Sequence, residues 1–198
     1  MKARAWGNST SVTSGTIEKV DIGSEYVGSL NSVMVNADDG SNIGIANIYG
    51  LLEKTPDQPK SVVYLGIHRK LDKIERWINS EIESKPDFIV ICGDFNNDRR
   101  MDDHETFKGR KQGSLSNELF DRIISLGMTD LLALAYPDFV QAHRHVRSKF
   151  PWQLDHFFVS DHAANLVSNI EVIDNPNVRE ISDHNPIVVD FDFPKQSL

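Results

Sequence analysis

The sequence predicts an α/β domain in which layered β-sheet carries helices on its outer side. Many short segments have the apolar, β-branched composition of strands, and the segment 43–49 alternates apolar with small or polar residues. Between residues 68 and 83 the apolar residues recur at helical spacing, with charges on the other face. Strand and helix patterns then alternate through the middle of the chain, which is typical of an α/β fold.

The predicted elements follow in order along the chain. Strands are predicted at 16–22, 32–37, 43–49, 88–92, 154–160, 167–173 and 186–193, and helices at 68–83, 118–126 and 130–135. The turn Asp38-Asp39-Gly40 has the composition of a hairpin connection. Ser116 or Asn117 is the predicted cap of the second helix. Residues 98–115 are polar without a period, which indicates a surface loop.

Composition narrows the class of protein. The chain has 198 residues, enough for one domain over 1–198, and a net charge of −8, which argues against broad non-specific coating of nucleic acid. The sequence has no run of about 18 apolar residues and no secretory signal, so we expect no membrane span and a cytoplasmic protein. The single cysteine, Cys92, lies in an apolar run and is predicted to be a buried core thiol.

Polar residues stand at the ends of three predicted strands. Asp94 and Asn96 follow the apolar strand 88–92, Asp155 precedes another apolar run, and Asp183-His184 precedes the last strand. Taken singly, such residues are common in turns and caps. Together they supply carboxylates, an amide and an imidazole, a set suited to a divalent cation and a phosphate.

Four motifs carry a family resemblance. GDFN at 93–96, LDHFFVS at 154–160 and SDHNPIVVDF at 182–191 resemble the endonuclease/exonuclease/phosphatase superfamily, which includes DNase I-type nucleases. NIYG at 47–50 is similar to the strand in which that family places a site tyrosine or histidine. The resemblance implies a DNase I-like four-layered α/β sandwich whose active site, at one end, uses a divalent cation, Mg²⁺ or Mn²⁺.

The same resemblance implies a role for each motif residue. It implies that His184 contacts the scissile phosphate and that Asp155 orients the His184 imidazole. Asp94 would act on the attacking water, and Asp183 together with Asp94 would bind the metal. Asn96 would donate hydrogen bonds to the phosphate, and Tyr49 would lie at the phosphate. Tyr49 has an alternative interpretation as an ordinary aromatic residue at a strand end.

Two elements of the family pattern are not found. They are an early strand ending in a site asparagine and a strand bearing the glutamate that is the principal metal ligand; Trp6-Gly7 resembles the element after that glutamate. Glu18 and Glu25 have the wrong neighbours and are interpreted as surface acids. We therefore expect an N-terminally truncated domain that lacks the family's first roughly 50–70 residues.

The substrate prediction depends on a basic segment, 143–155, beside the predicted site. Arg144 and Trp152 within it are predicted to bind a phosphate backbone and a sugar or base, the alternative being a solvated loop with Trp152 in the core. Four cations after GDFN offer a second phosphate contact: Arg99, Arg100, Arg110 and Lys111. Arg69 and Lys70 are interpreted as the solvated face of a helix.

These observations predict a divalent-metal-dependent phosphodiesterase, in the first place an endonuclease acting on nucleic acid. One alternative is a phosphomonoesterase or lipid-headgroup phosphatase of the same fold. Another is a catalytically inactive domain that acts in binding. The oligomeric state is not predicted.

Overall fold

The computed structural model of the chain describes residues 8–22, 24–51, 53–54, 62–63, 65–79, 85–105, 115–144 and 150–193. The strands are β1 (Thr16–Lys19), β2 (Leu30–Asn36), β3 (Asn42–Tyr49), β4 (Glu53–Lys54), β5 (Val62–Val63), β6 (Phe88–Asp94), β7 (Met128–Asp130), β8 (Asp155–Ser160), β9 (Val167–Val172) and β10 (Ile187–Phe191). The helices are α1 (Leu65–Ile78), α2 (Leu115–Ser125), α3 (Leu131–Ala135), α4 (Asp161–Ala164) and α5 (Pro176–Ile181).

A six-stranded sheet in the order β1-β2-β3-β6-β8-β7 forms the centre of the fold. Strands β3 and β6 run parallel, and the other neighbours in this sheet are antiparallel. The antiparallel pair β9–β10 forms a second sheet, and β4–β5 forms a short hairpin-like pair. The polar carboxyl ends of β3 and β6 therefore lie side by side at one end of the central sheet.

Each face of the central sheet is covered by a different layer. On one face, apolar residues of α1 and α2 pack against Ile91 and Phe158 of the sheet. On the other face, Phe88, Val90 and Val159 pack against β9 and β10. This division follows from the alternation of side chains along a strand, which sends consecutive residues of β6 to opposite faces. The layered α/β architecture predicted from the sequence is confirmed.

Several boundaries differ from the prediction. Helix α2 begins at Leu115, so the predicted caps Ser116 and Asn117 lie inside it. Strand β7 was not predicted; its last residue, Asp130, caps α3 by accepting hydrogen bonds from the amides of Leu132 and Ala133. The short helices α4 and α5 were not predicted either, because neither is long enough to show a helical period.

Two glycines allow the strand ends to approach closely. Gly93 has a φ of +122°, and a Cβ atom there would lie 2.2 Å from the carbonyl oxygen of Ile48. A Cβ atom on Gly50 would lie 2.1 Å from the carbonyl oxygen of Phe95. The backbone after β3 and the backbone after β6 are therefore in direct contact, which fixes the position of the residues beside them. Among the described residues, no helix is long and apolar enough to cross a membrane.

Candidate active site

Three of the predicted site residues lie on neighbouring strands of the central sheet. Asp94, the last residue of β6, is the register partner of Tyr49 on β3 and of Asp155 on β8. The carbonyl oxygen of Asp94 accepts a hydrogen bond of 2.7 Å from the amide of Gly50. The two carboxylates thus stand opposite each other at one end of the sheet, as the motif positions predicted.

The turn before β10 brings an imidazole to these carboxylates. Nδ1 of His184 donates a hydrogen bond of 2.7 Å to Oδ2 of Asp155. The amide of His184 donates to Oγ of Ser182 at 3.0 Å, which closes the turn. Buried Asn185 secures the turn from behind, because its amide donates to the carbonyl of Ala142 at 2.8 Å. The structure therefore joins two segments 29 residues apart into an Asp–His pair.

Asn96 holds the Asp94 carboxylate through backbone and side-chain hydrogen bonds. Its φ is +49°, and its amide donates to Oδ1 of Asp94 at 2.8 Å. Its carboxamide nitrogen donates to the carbonyl of Gly50 at 2.8 Å and to Oδ2 of Asp94 at 3.3 Å. In this structure Asn96 therefore orients the Asp94 carboxylate and ties the two strand ends together, and both of its carboxamide hydrogens are engaged.

The surroundings of Asp94 and His184 raise the pKa values of both side chains. The hydrogen bond to Asp155 raises the pKa of His184 to about 9, against an opposing effect of burial. Burial raises the pKa of Asp94 to about 6, and the facing carboxylate of Asp155 adds to this shift. At pH 7 the imidazole is thus protonated, while Asp94 is mostly ionised with a basicity close to neutrality.

His143 joins the site although the sequence analysis did not single it out. It is buried, its Nε2 lies 3.6 Å from Oδ2 of Asp183, and its ring centroid lies 4.6 Å from that of His184. Donor atoms of His143, Asp183 and His184 all lie within 4.8 Å of one another. This group of two imidazoles and a carboxylate has the composition of a divalent-metal site. No local motif marks His143, because it reaches the site through tertiary contacts.

Lys70 corrects a second expectation. The sequence analysis placed it on the solvated face of a helix with Arg69, but its side chain is 0% exposed, whereas Arg69 is exposed. Its ammonium donates to the carbonyl of Tyr49 at 3.3 Å and lies 5.7 Å from the ring centroid of Tyr26. Burial lowers the pKa of Lys70 to about 8, and the charge of Arg69 adds to this shift. The buried ammonium therefore sits directly behind the strand end that carries Tyr49.

The two residues predicted to bind substrate are engaged elsewhere. Trp152 is 9% exposed and packs with Met101 and Leu154, so it is a core residue, which was the alternative that the sequence left open. This corrects the predicted stacking role, since a buried ring has no face for a base. Arg144 forms an ion pair with Asp174. The other cations of that segment, at 145, 147 and 149, lie outside the described residues.

The cations after GDFN are also paired. Arg100 forms an ion pair with buried Asp98, donates to the carbonyl of Pro151, and lies 3.6 Å from the ring centroid of Phe139. Arg99 forms an ion pair with Asp121. Arg100 therefore holds the segment before β8 in place. Arg110 and Lys111, as well as Trp6-Gly7, lie outside the described residues.

The interpretation of two glutamates as surface acids is confirmed. Glu18 and Glu25 are exposed, and Glu25 forms a 2.6 Å ion pair with Lys73, as befits surface acids. Cys92 was predicted to be a buried core thiol, but the structure leaves it half-buried. Desolvation raises the pKa of its thiol to about 12, which makes it a weak nucleophile.

A cavity of about 400 Å³ opens beside the Asp–His pair. Asp155 and His184 form its polar side, and Val178, Ile181 and Pro186 line its apolar side. The cavity therefore gives a bound molecule access to the imidazole.

Comparison with known proteins identifies similar sequences and folds. The profile of the Endonuclease/Exonuclease/phosphatase family matches residues 42–184. Comparison with curated protein sequences finds no match. Among solved structures, an AP endonuclease from Archaeoglobus fulgidus is similar with a TM-score of 0.60 and 20% identity, over 82% of this chain and 65% of that one.

Two other solved structures have similar values. The 3′ phosphatase NExo from Neisseria, bound to a product DNA hairpin, has a TM-score of 0.60 and 20% identity, over 82% of this chain and 65% of that one. The endonuclease domain of the telomere-specific retrotransposon TRAS1 has a TM-score of 0.57 and 17% identity, over 91% of this chain and 70% of that one. The predicted DNase I-like α/β fold is thus confirmed, and the chain spans about two thirds of the length of these proteins.

Proposed function

Since the chain belongs to the endonuclease/exonuclease/phosphatase family, we propose that it is a divalent-metal-dependent phosphodiesterase that cleaves nucleic acid internally. Membership of this family supports nuclease or phosphatase activity of the DNase I-like type. The finer proposal concerns the substrate, the metal and the residues of this chain. We also propose that residues 1–198 form one domain.

One observation carries the proposal: the hydrogen bond of 2.7 Å between His184 and Asp155, formed opposite Asp94. A carboxylate that accepts from one imidazole nitrogen fixes the ring and leaves the other nitrogen for a substrate. Cleavage of a phosphodiester places extra negative charge on the phosphate oxygens, and a fixed cationic donor stabilises that charge. The Asp–His pair supports this role better than a structural one, because the imidazole faces the cavity.

The roles of the remaining groups follow from their charge. A pKa of about 9 keeps His184 protonated at neutral pH, so it donates to a phosphate oxygen. Asp94, with a pKa of about 6, orients the attacking water and accepts its proton. Asn96 positions Asp94 through two hydrogen bonds. Tyr49 is the register partner of Asp94, and we propose that its side chain contacts the same phosphate.

The side chains present also fit a divalent cation. Asp183 is half exposed and offers a carboxylate, and Asp94 offers a second one at the same end of the sheet. When bound, Mg²⁺ or Mn²⁺ would supply Lewis-acid polarisation of the phosphate. The contribution of the chain is to hold these carboxylates and the imidazole at fixed positions around one phosphate.

Nicking of supercoiled plasmid tests this function. We expect nicking by the chain with Mg²⁺ or Mn²⁺, no nicking with chelator, and a loss of at least about 100-fold in His184→Ala and in Asp94→Asn. The matched controls are His162→Ala and Asp138→Asn, because both residues are exposed and lie outside the site. Nicking that survives in His184→Ala, or that falls equally in the controls, contradicts the assignment.

A second function has support from the cavity. Its volume of about 400 Å³ is within the range of small-molecule sites, and a phosphomonoester could approach His184 from it. The similarity to a 3′ phosphatase points the same way. Release of inorganic phosphate from a 3′-phosphorylated oligonucleotide, compared with plasmid nicking under the same conditions, separates the two functions. Phosphate release without nicking would favour the phosphomonoesterase.

A further inference from the structure

The group formed by His143, Asp183 and His184 has nitrogen ligands that a magnesium site does not need. Mg²⁺ prefers oxygen ligands and keeps several waters. Imidazole favours borderline ions such as Zn²⁺, Co²⁺ and Ni²⁺, whose affinity for a mixed site exceeds that of the early divalent ions. The donor composition on its own therefore points away from Mg²⁺.

The distances fit an ion of that class. Nε2 of His143 lies 3.6 Å from Oδ2 of Asp183. Two ligands of a tetrahedral ion with bonds of about 2.1 Å are separated by about 3.4 Å, so this pair needs almost no adjustment. The third donor, from His184, lies within 4.8 Å of both. Asp183 is 54% exposed, so its carboxylate can move toward the two imidazoles.

The surroundings of His184 match those of a metal ligand. Its Nδ1 donates to Asp155 at 2.7 Å, which leaves Nε2 for an ion. Metal-binding histidines almost always donate their second ring nitrogen to a carboxylate or carbonyl, which fixes the ring and raises its basicity. The Asp155–His184 hydrogen bond supplies this arrangement.

The backbone holds the two contributing segments together before any ion binds. The amide of Arg144 donates to the carbonyl of Asp183 at 2.7 Å, and the amide of His143 donates to the carbonyl of Trp152 at 3.1 Å. His143 also forms β-bridges to His184 and to Trp152. His143 and His184 therefore face each other on a preformed backbone, and binding needs little ordering of the chain.

We propose that His143, Asp183 and His184 form a binding site for a borderline transition ion, with Zn²⁺ or Co²⁺ bound much more tightly than Mg²⁺. The inference rests on the site of the proposed function but requires no hydrolysis. An ion at Nε2 of His184 occupies the nitrogen that the proposed function assigns to the phosphate. The site therefore also predicts that Zn²⁺ opposes turnover supported by Mg²⁺.

The test measures binding to the metal-free full chain. Titration with Co²⁺ should saturate at one equivalent and give the visible absorption of a four- or five-coordinate site, which Zn²⁺ then abolishes. Isothermal titration should show Zn²⁺ binding at least about 100-fold more tightly than Mg²⁺. His143→Asn and Asp183→Asn should each weaken Zn²⁺ binding by more than about tenfold.

Exposed His162 provides the matched control, and His162→Ala should bind Zn²⁺ as the wild-type chain does. Asp183 is itself exposed, so Asp183→Asn keeps the test valid if the buried His143→Asn variant does not fold. Equal affinity for Zn²⁺ and Mg²⁺, or wild-type Zn²⁺ binding in Asp183→Asn, overturns the proposal. If the wild-type chain binds Zn²⁺ as expected but does not nick plasmid with Mg²⁺ or Mn²⁺, the proposed function is refuted and this site stands. If the chain nicks plasmid but does not prefer Zn²⁺ to Mg²⁺, this site is refuted and the proposed function stands.

Discussion

Replacing Lys70 with methionine should stabilise the protein at neutral pH. The side chain is fully buried, and no described carboxylate offsets the burial of its ammonium. The pKa falls from 10.5 to about 8, so the folded state binds the proton less tightly than the unfolded state does. At about 1.4 kcal/mol per pKa unit, the charged side chain costs about 3 kcal/mol of stability. Methionine fills a similar volume without the charge.

The net gain is smaller, because the ammonium also donates to the carbonyl of Tyr49 at 3.3 Å. Losing that hydrogen bond costs about 1 kcal/mol, so Lys70→Met should raise the free energy of unfolding by about 2 kcal/mol. For a chain of this length the midpoint of thermal unfolding should then rise by about 4–8 °C. Arg76→Met is the control, since Arg76 is exposed on the same helix; its effect should stay within about 0.5 kcal/mol.

The pH dependence identifies the cause. Below pH 8, Lys70 is charged in both the folded and the unfolded state, so the full cost of burying its charge is present. Between pH 8 and 10.5, Lys70 loses its proton in the folded state first, so the free energy of unfolding of the wild-type protein rises with pH. The advantage of Lys70→Met should therefore be complete at pH 7 and nearly absent at pH 10.5, as measured by urea denaturation. Destabilisation by Lys70→Met at pH 7 would refute the reasoning and show that the ammonium has a compensating negative partner.

Three other predictions concern the site and the core. Asp155→Asn should lower the pKa of His184, as measured by NMR titration of its ring, and should reduce nicking by about 10²–10⁴-fold. An unchanged pKa of His184 would contradict the role of its hydrogen bond to Asp155. Gly93→Ala should destabilise the fold by more than about 2 kcal/mol, because its Cβ atom would meet a backbone carbonyl, whereas Gly127→Ala, which meets nothing within 3.8 Å, should lose only about 1 kcal/mol. Equal losses in urea denaturation would speak against the close approach. Cys92 should react with maleimide at least about 100-fold more slowly in the native state than in urea, since burial keeps the thiol protonated.

The sequence was most informative where local pattern and chemistry agree. Asp94 ends an apolar strand and Asp155 begins one, so the position of each at a sheet end followed from the strand pattern alone. Their pairing with each other and with His184 did not, because register and loop position depend on contacts distant in sequence. The motif order, through the family resemblance, supplied that missing information.

Burial of long side chains was the least predictable feature. Lys70 follows Arg69 on α1, and charge pattern gives both the same expectation, yet the turn of the helix places Lys70 under the end of β3. Trp152 had two interpretations, and its packing against Met101 depends on a loop that no local pattern describes. The ion pair of Arg144 likewise depends on a carboxylate distant in sequence, that of Asp174.

The site has two halves that differ in how they are held. Asp94 and Asp155 belong to the central sheet, whereas His184 lies on a turn that backbone hydrogen bonds join to Ala142 and Arg144. Local opening of a loop layer requires far less free energy than opening of a core sheet. The amides of Arg144 and Asn185, which bridge the two segments at 2.7 and 2.8 Å, are therefore natural reporters in native-state hydrogen exchange. Their protection against exchange reports how often this turn opens and carries the His184 imidazole away from Asp155.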